Sequence, residues 1–97
     1  MLVGLGKMDL LIAEGHSLKE KRQVTKSIIQ RLQKRFNISV AETGYQDMHR
    51  RAEIGFALVS NETVYLDKKM QEIMAFLEGD GRVQQINFER EIIPFGG

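Results

Sequence analysis

The fold that the sequence predicts is an α+β sandwich, in which two helices cover one face of a four-stranded antiparallel sheet. Three observations predict it. Residues 18–36 and 62–78 repeat apolar residues at helical spacing. Four other stretches read as strands, and the order along the chain is βαββαβ. That order, with two similar helices, is the ferredoxin-like arrangement. A length of 97 residues fits one domain over 1–97.

The first strand covers residues 2–13 and is rich in Leu, Val, Ile and Met. Its apolar residues occupy both parities: Val3, Leu5 and Leu11 on one, Met8, Leu10 and Ile12 on the other. A strand covered on both sides, or a bulge near Gly4 and Gly6, would account for this. Residues 18–36 form the clearest helix. Ser17 is a good N-cap and Glu20 completes a capping box. Val24, Ile28, Ile29, Leu32 and Phe36 make its apolar stripe. Asn37, which tolerates the left-handed conformation, ends it.

Residues 38–42 read as a short strand and 43–51 as a polar connection containing Gly44. Residues 52–60 alternate cleanly, with Ile54, Phe56 and Leu58 on one face and Glu53, Gly55, Ala57 and Val59 on the other. Ser60 or Asn61 caps a second helix over 62–78, which buries Leu66, Met70, Ile73 and Leu77 and stops at Gly79. The last strand, 83–93, carries Ile86, Phe88 and Ile92 on one side, and Pro94 closes it.

Composition removes several function classes. Apolar residues are 42% and charged residues 28%, as in an ordinary globular protein. Fourteen Lys and Arg oppose 13 Asp and Glu, a net charge of +1. That balance excludes a generally basic binder but leaves room for a local patch. The absence of cysteine excludes a disulfide framework, a zinc ribbon and a thiol nucleophile. No apolar run approaches the roughly 20 residues of a membrane span. The start lacks the basic region and cleavage site of a signal peptide. A cytoplasmic protein without membrane contact is therefore expected. His16 and His49 alone make no ligand set, so neither metal nor cofactor is expected.

Charge is concentrated on the first helix. Lys19, Lys21, Arg22, Lys26, Arg31, Lys34 and Arg35 face a single acid, Glu20. At 100° per residue, Lys19, Arg22 and Lys26 share one flank of the apolar stripe, Arg31 and Arg35 share the other, and Lys34 lies outermost. Such a patch is the footprint of a phosphate-backbone binder. Its bland counterpart is a solvated helix face neutralised by Asp67, Glu72, Glu78, Glu89 and Glu91. Gly15, His16 and Ser17 precede the helix, where free amides hold anions. Capping by Ser17 and Glu20 explains those residues better.

The segment Tyr45-Gln46-Asp47-Met48-His49-Arg50-Arg51 combines groups that stack on and hydrogen-bond to a base or a protein surface. Asp47 and His49 have no third group for acid–base chemistry. The plainer reading pairs the arginines with Glu42 and Glu53 across the strands. An RNA-recognition motif shares the element order but needs aromatics on the open sheet face. Glu53, Gly55, Ala57 and Val59 stand there instead, and Phe56 has core parity. A smooth face of this kind suits packing against another sheet, so a homodimer through those four residues is expected.

Four segments carry a resemblance: Ser17-Leu18-Lys19-Glu20-Lys21-Arg22, Arg35-Phe36-Asn37-Ile38-Ser39-Val40-Ala41-Glu42, Gln46-Asp47 and Val59-Ser60-Asn61. At this spacing the chain is similar to the YlxP-like family of small bacterial proteins over nearly its whole length. The resemblance implies a ferredoxin-like fold in a bacterial cytosolic protein and no assigned activity. Genes of that family lie beside those for translation initiation and ribosome maturation. Family members often carry Trp and Gln where this chain has His49 and Arg50.

The leading expectation is thus a non-enzymatic protein contacting structured RNA, on the ribosome or its precursors. Lys19, Arg22, Lys26, Arg31, Lys34 and Arg35 would track phosphates, and Tyr45, Gln46, His49, Arg50 and Arg51 would add local contacts. The alternative is a protein-interaction module working through the open sheet face. A third reading, an acylphosphatase-like enzyme, needs an anion cradle between the first strand and helix. Residues 13–17 supply one glycine to it and place Glu14 where an anion would be repelled.

Overall fold

The computed structural model describes residues 1–13 and 16–96. Its elements are β1 (Leu2–Ile12), α1 (Leu18–Arg35), β2 (Ser39–Gly44), β3 (Arg51–Ser60), α2 (Thr63–Glu78) and β4 (Val83–Pro94). The strands form one antiparallel sheet in the order β2-β3-β1-β4. This is the ferredoxin-like α+β fold.

Strand parity builds the sandwich. On β1, Met8, Leu10 and Ile12 point toward the helices, and on β3 Ala52, Ile54, Phe56 and Leu58 do the same. They meet Ile28 and Leu32 of α1 and Leu66, Met70, Ile73 and Leu77 of α2 in a single core. Val3, Leu5 and Leu11, with Lys7 and Asp9 between them, belong to the opposite, open face. The double parity of β1 therefore does not reflect a strand covered on both sides. Gly6 serves a different need from a bulge. A Cβ there would stand 2.3 Å from Cζ of Phe56, whose ring lies over the glycine.

The bulge lies in β4 instead. Asp9 pairs with Asn87 but Leu10 with Gln85, which leaves Ile86 without a partner. The extra residue flips the parity of what precedes it, so Ile86 is exposed while Phe88 and Ile92 pack against the core.

The helix ends also differ from expectation. Ser17 caps α1, its Oγ accepting from the Glu20 N–H at 3.1 Å. Glu20 in turn accepts from the His16 N–H at 3.2 Å, one residue earlier than a standard capping box. Phe36, in extended conformation, closes α1 with its N–H on the Leu32 carbonyl. Asn37 does not adopt the left-handed conformation. The N-cap of α2 is Glu62, without a side-chain bond of its own. Ser60 Oγ accepts the Glu62 N–H instead, at 3.1 Å.

Candidate nucleic-acid interface

Helix α1 buries Lys21, Thr25, Ile28 and Leu32, positions spaced by four, three and four residues, packs Val24 and Ile29 beside them, and turns its opposite face outward. Lys19, Arg22, Lys26, Lys34 and Arg35 are all exposed. None of them meets an acid within ion-pair distance among the described residues. Arg31 is the exception, 3.5 Å from Asp80.

The acids expected to neutralise this surface are engaged elsewhere or stand apart. Asp67 pairs with Arg90, Glu72 with Lys69, and Glu89 with Lys7. Near the end of α1, Arg31 and Arg35 lie over the Phe76 ring of α2 at 5.2 and 5.7 Å, and Arg35 lies 5.9 Å from the Phe36 ring. Stacking of this kind holds a guanidinium in place without consuming its charge.

Lys21 leaves the basic patch. Its side chain is fully buried, 2.6 Å from Glu42 Oε2, and its Nζ donates to the Tyr45 carbonyl at 2.6 Å. The signal was present in the sequence, because Lys21 sits on the stripe of Ile28 and Leu32. A charge is tolerated there because both partners are in place. The contact also fixes the loop. Tyr45 has φ of 59°, the only positive value at a non-glycine among the described residues. Holding a tyrosine in that region costs about 1–2 kcal/mol, and two contacts hold it: Lys21 on its carbonyl and the Arg51 guanidinium 4.5 Å from its ring centroid.

The loop residues therefore divide. Arg51 is taken by the Tyr45 ring and by Asp9, at 3.3 Å. It pairs with neither Glu42 nor Glu53, and Arg50 has no ion pair among the described residues. Glu42 belongs to Lys21, while Glu53 accepts from Thr43 Oγ1 at 2.6 Å and lies 3.6 Å from Lys7. Arg51 Nη2 donates to Asp9 Oδ2 at 3.3 Å, while Asp9 Oδ1 and Arg51 Nε are buried without a hydrogen-bond partner. Gln46 folds back, its Nε2 donating to the Glu42 carbonyl at 3.3 Å. His49 and Arg50 are exposed. The Arg50 carbonyl accepts from the Ile12 N–H at 2.9 Å, which sets the loop at the C-terminal end of β1. That end also feeds α1. Lys19 and Arg22, in the first turns of α1, are thus brought to the same end of the molecule as His49 and Arg50.

Asp80 is the acid that sequence reasoning missed. Its side chain is 6% exposed and accepts from Arg82 Nε at 3.0 Å and Nη2 at 2.7 Å. Those hydrogen bonds hold its carboxyl below the ordinary range, against the opposing pull of burial. They hold the Arg82 guanidinium above its ordinary value in turn. Arg82 Nη1 also donates to Ser27 Oγ at 3.2 Å, tying the turn after α2 to α1. From sequence, Asp80 reads only as a turn residue.

The open sheet face differs from the smooth surface expected of it. Thr43 roofs Gly55: a Cβ on Gly55 would lie 2.8 Å from Thr43 Cγ2. Lys7 bridges Glu53 and Glu89, and the hydrogen bond and charge of Glu89 raise its pKa. Apolar surface gathers at the other end, where Leu5 and Val59 are exposed beside Val3 and Ala57. Ile93, Met1 and Phe95 extend it, the Phe95 N–H donating to the Met1 carbonyl at 2.8 Å. A shallow concavity of about 1120 Å³ runs along this face, lined by Leu5, Ala41, Gly55, Ala57 and Glu91 among others.

Among the described residues no three His, Cys, Asp or Glu side chains converge as metal ligands. No described helix is long and apolar enough to cross a membrane. Glu14 and Gly15, on which the anion-cradle reading depends, lie outside the described residues.

A family model described as a protein of unknown function, DUF503, matches residues 3–90. The chain belongs to that family. It is also 37% identical over 84 residues to an uncharacterised protein of Bacillus subtilis (strain 168), YlxP, the match covering 87% of this chain and 91% of the relative. The YlxP-like resemblance of the chain is thereby shown. The DUF503 description assigns no activity, so a functional reading depends on the surface just described.

Proposed function

We propose that this protein is a non-enzymatic binder of structured RNA, with the outer surface of α1 as its main contact. One observation carries the reading: Lys19, Arg22, Lys26, Lys34 and Arg35 are exposed along one helix with no acid paired to them among the described residues. Unpaired cations in a row release condensed counterions when they meet phosphates, and that release supplies affinity. His49 and Arg50 add to the contact at the Lys19 end, while Tyr45, Gln46 and Arg51 shape the loop that carries them. Structured ribosomal RNA is the probe to use. Binding should weaken steeply as salt rises. Changing Lys19, Arg22 and Lys26 together to Ala should lower the slope of log K against log salt by about 2–3. An unchanged affinity and slope in that variant would overturn the reading.

A second reading, for the sheet face, rests on Met1, Leu5, Val59, Ile93 and Phe95, exposed together at one end of it. The occupant we assign is a second copy of the chain. Strands of 11, 6, 10 and 12 residues at about 3.3 Å each and about 4.8 Å apart outline roughly 620 Å². A standard interface needs about 800 Å² from each partner. Packing of this kind leaves α1 outward on both copies, so the two readings are compatible. Val59→Arg is the disrupting substitution, because Gly55 is already roofed by Thr43. Sedimentation of a single monomeric species for the unaltered chain at micromolar concentration would remove this reading.

A further inference from the structure

Which RNA geometry α1 fits follows from what lies between its cations. The exposed positions of the helix include Gln23, Gln30 and Gln33 interleaved with Lys19, Arg22, Lys26 and Lys34. Glu20 is the only acid on α1, and its carboxylate turns back onto the His16 N–H. No aromatic ring is exposed on the helix, since Phe36 is buried against Phe76 in an edge-to-face contact with centroids 6.1 Å apart. Single-stranded RNA is held by stacking its bases on exposed rings. Of the exposed phenol and phenyl rings elsewhere, Tyr45 and Tyr65 already stack with Arg51 and Lys69, and Phe95 follows β4 with its N–H on the Met1 carbonyl.

The alternating row suits a different target. Cations take phosphates. A carboxamide both donates and accepts, which matches a 2′-hydroxyl that does the same. From Lys19 to Lys34 the row runs about 22 Å at 1.5 Å per residue. Helix α1 does not stand proud as a lone ridge, because Arg31 and Arg35 reach across to Phe76 of α2 and Arg82 ties Ser27 to the neighbouring turn. A helix set in a layer fits a wide, shallow groove better than a deep one. The minor groove of A-form RNA is wide and shallow and displays 2′-hydroxyls, whereas B-form DNA presents a major groove about 12 Å wide and 8.5 Å deep.

We propose that α1 recognises double-stranded, A-form RNA by shape, phosphates to its lysines and 2′-hydroxyls to Gln23, Gln30 and Gln33. The inference rests on the RNA-binding reading above. Its test compares three probes at equal salt: a 20-bp RNA duplex, one of its strands alone, and the DNA duplex of the same sequence. The RNA duplex should bind at least about 10-fold tighter than either of the others. Changing Gln30 and Gln33 together to Ala should cut the preference for RNA duplex over DNA duplex several-fold and leave the salt slope unchanged, because no phosphate contact is lost. Circular dichroism of that variant confirms that the exposed changes leave the helix intact. A single strand bound as tightly as the duplex, or RNA and DNA duplexes bound alike, would overturn the duplex inference while the broader reading stands. Failure to bind any of the three probes would overturn both.

Discussion

The outer surface of α1 and the open face of the sheet are the two broad surfaces of this molecule, and they have opposite characters. On α1 five cations stand exposed without acid partners among the described residues. On the open face two cations, Lys7 and Arg51, stand against four carboxylates, Asp9, Glu53, Glu89 and Glu91, a net charge of −2. There every cation is held by a carboxylate, and Lys7 is shared by two. Besides the polar Asn87 and Gln84, the rest of that face is small or apolar. A net charge of +1 therefore conceals a polarised molecule. Attraction of a polyanion depends on where charge sits, and potentials near a surface are set within about 10 Å. On the reading proposed above, the sign of the helix surface favours phosphates and that of the sheet face disfavours them.

The sharpest way to break the comparison is to change a lysine that lies on α1 but does not belong to its outer surface. Lys21→Met should destabilise the fold by about 3 kcal/mol, because Glu42 loses its cation and the Tyr45 carbonyl its donor. Urea unfolding measures it. At temperatures where the variant is folded, the salt slope of RNA binding should be that of the unaltered chain. Lys19→Ala, on the outer surface, should do the reverse. If Lys21→Met left stability untouched, the division of α1 into structural and binding lysines would fail.

Gly6→Ala should cost about 2 kcal/mol, since the new methyl has nowhere to go but into the Phe56 ring. Gly81→Ala, where nothing lies within 4 Å, is its control. The pair shows that the penalty at Gly6 comes from its contact with Phe56 and not from replacing a glycine as such.

Asp80→Asn should cost about 1.5 kcal/mol at neutral pH, because hydrogen bonds to a charged carboxylate are lost and Arg31 is released. The pH dependence has a definite sign. Asp80 titrates below its ordinary value of 3.8 in the folded chain. Its contribution is thus complete above that value and disappears as pH falls through the lower, folded-state one. The gap between the two proteins in thermal unfolding should close below pH 3.8 and stay constant from pH 5 to 8. Freed from Asp80, Arg31 would join the exposed cations, so RNA binding should strengthen slightly.

Much of this was legible in the sequence, and the gaps have particular causes. The element order, the α1 stripe and the alternation of β3 were readable because burial imposes periods of 3.6 and 2 that few other pressures produce. The β4 bulge was not, because one extra residue shifts parity without changing composition, and Ile86 looks as apolar as Phe88. Lys21 was misplaced because its residue type outweighed its position: it sits on the stripe that was correctly drawn through Ile28 and Leu32. The arginine partners were misassigned because sequence proximity suggested Glu42 and Glu53. Register instead sets Asp9 beside Glu53 on β3, within reach of Arg51, and across the sheet from the helix that needs Glu42. The exposed cations Lys19, Arg22 and Lys26 were legible because α1 carries one acid, Glu20, and no acid among the described residues pairs with them.

The smallest expected effect on stability discriminates most between the two fates of the sheet face. Lys7 is exposed and bridges Glu53 and Glu89 at 3.6 and 3.1 Å. In a monomer such pairs are bathed in water and contribute little. Lys7→Met should then leave the unfolding temperature within the scatter of repeated scans. In a dimer packed through this face the same lysine is covered. Removing it strands two carboxylates beneath a second copy, and desolvating unpaired charge is costly. Dissociation should then occur at a protein concentration at least about 10-fold higher than for the unaltered chain. Val59→Arg, at the apolar end, should act in the same direction and more strongly. Sedimentation of the two variants beside the unaltered protein separates the cases. If Lys7→Met sediments as the unaltered dimer does, the charged half of the face lies outside the interface. Contact is then confined to the apolar end around Leu5, Val59 and Ile93.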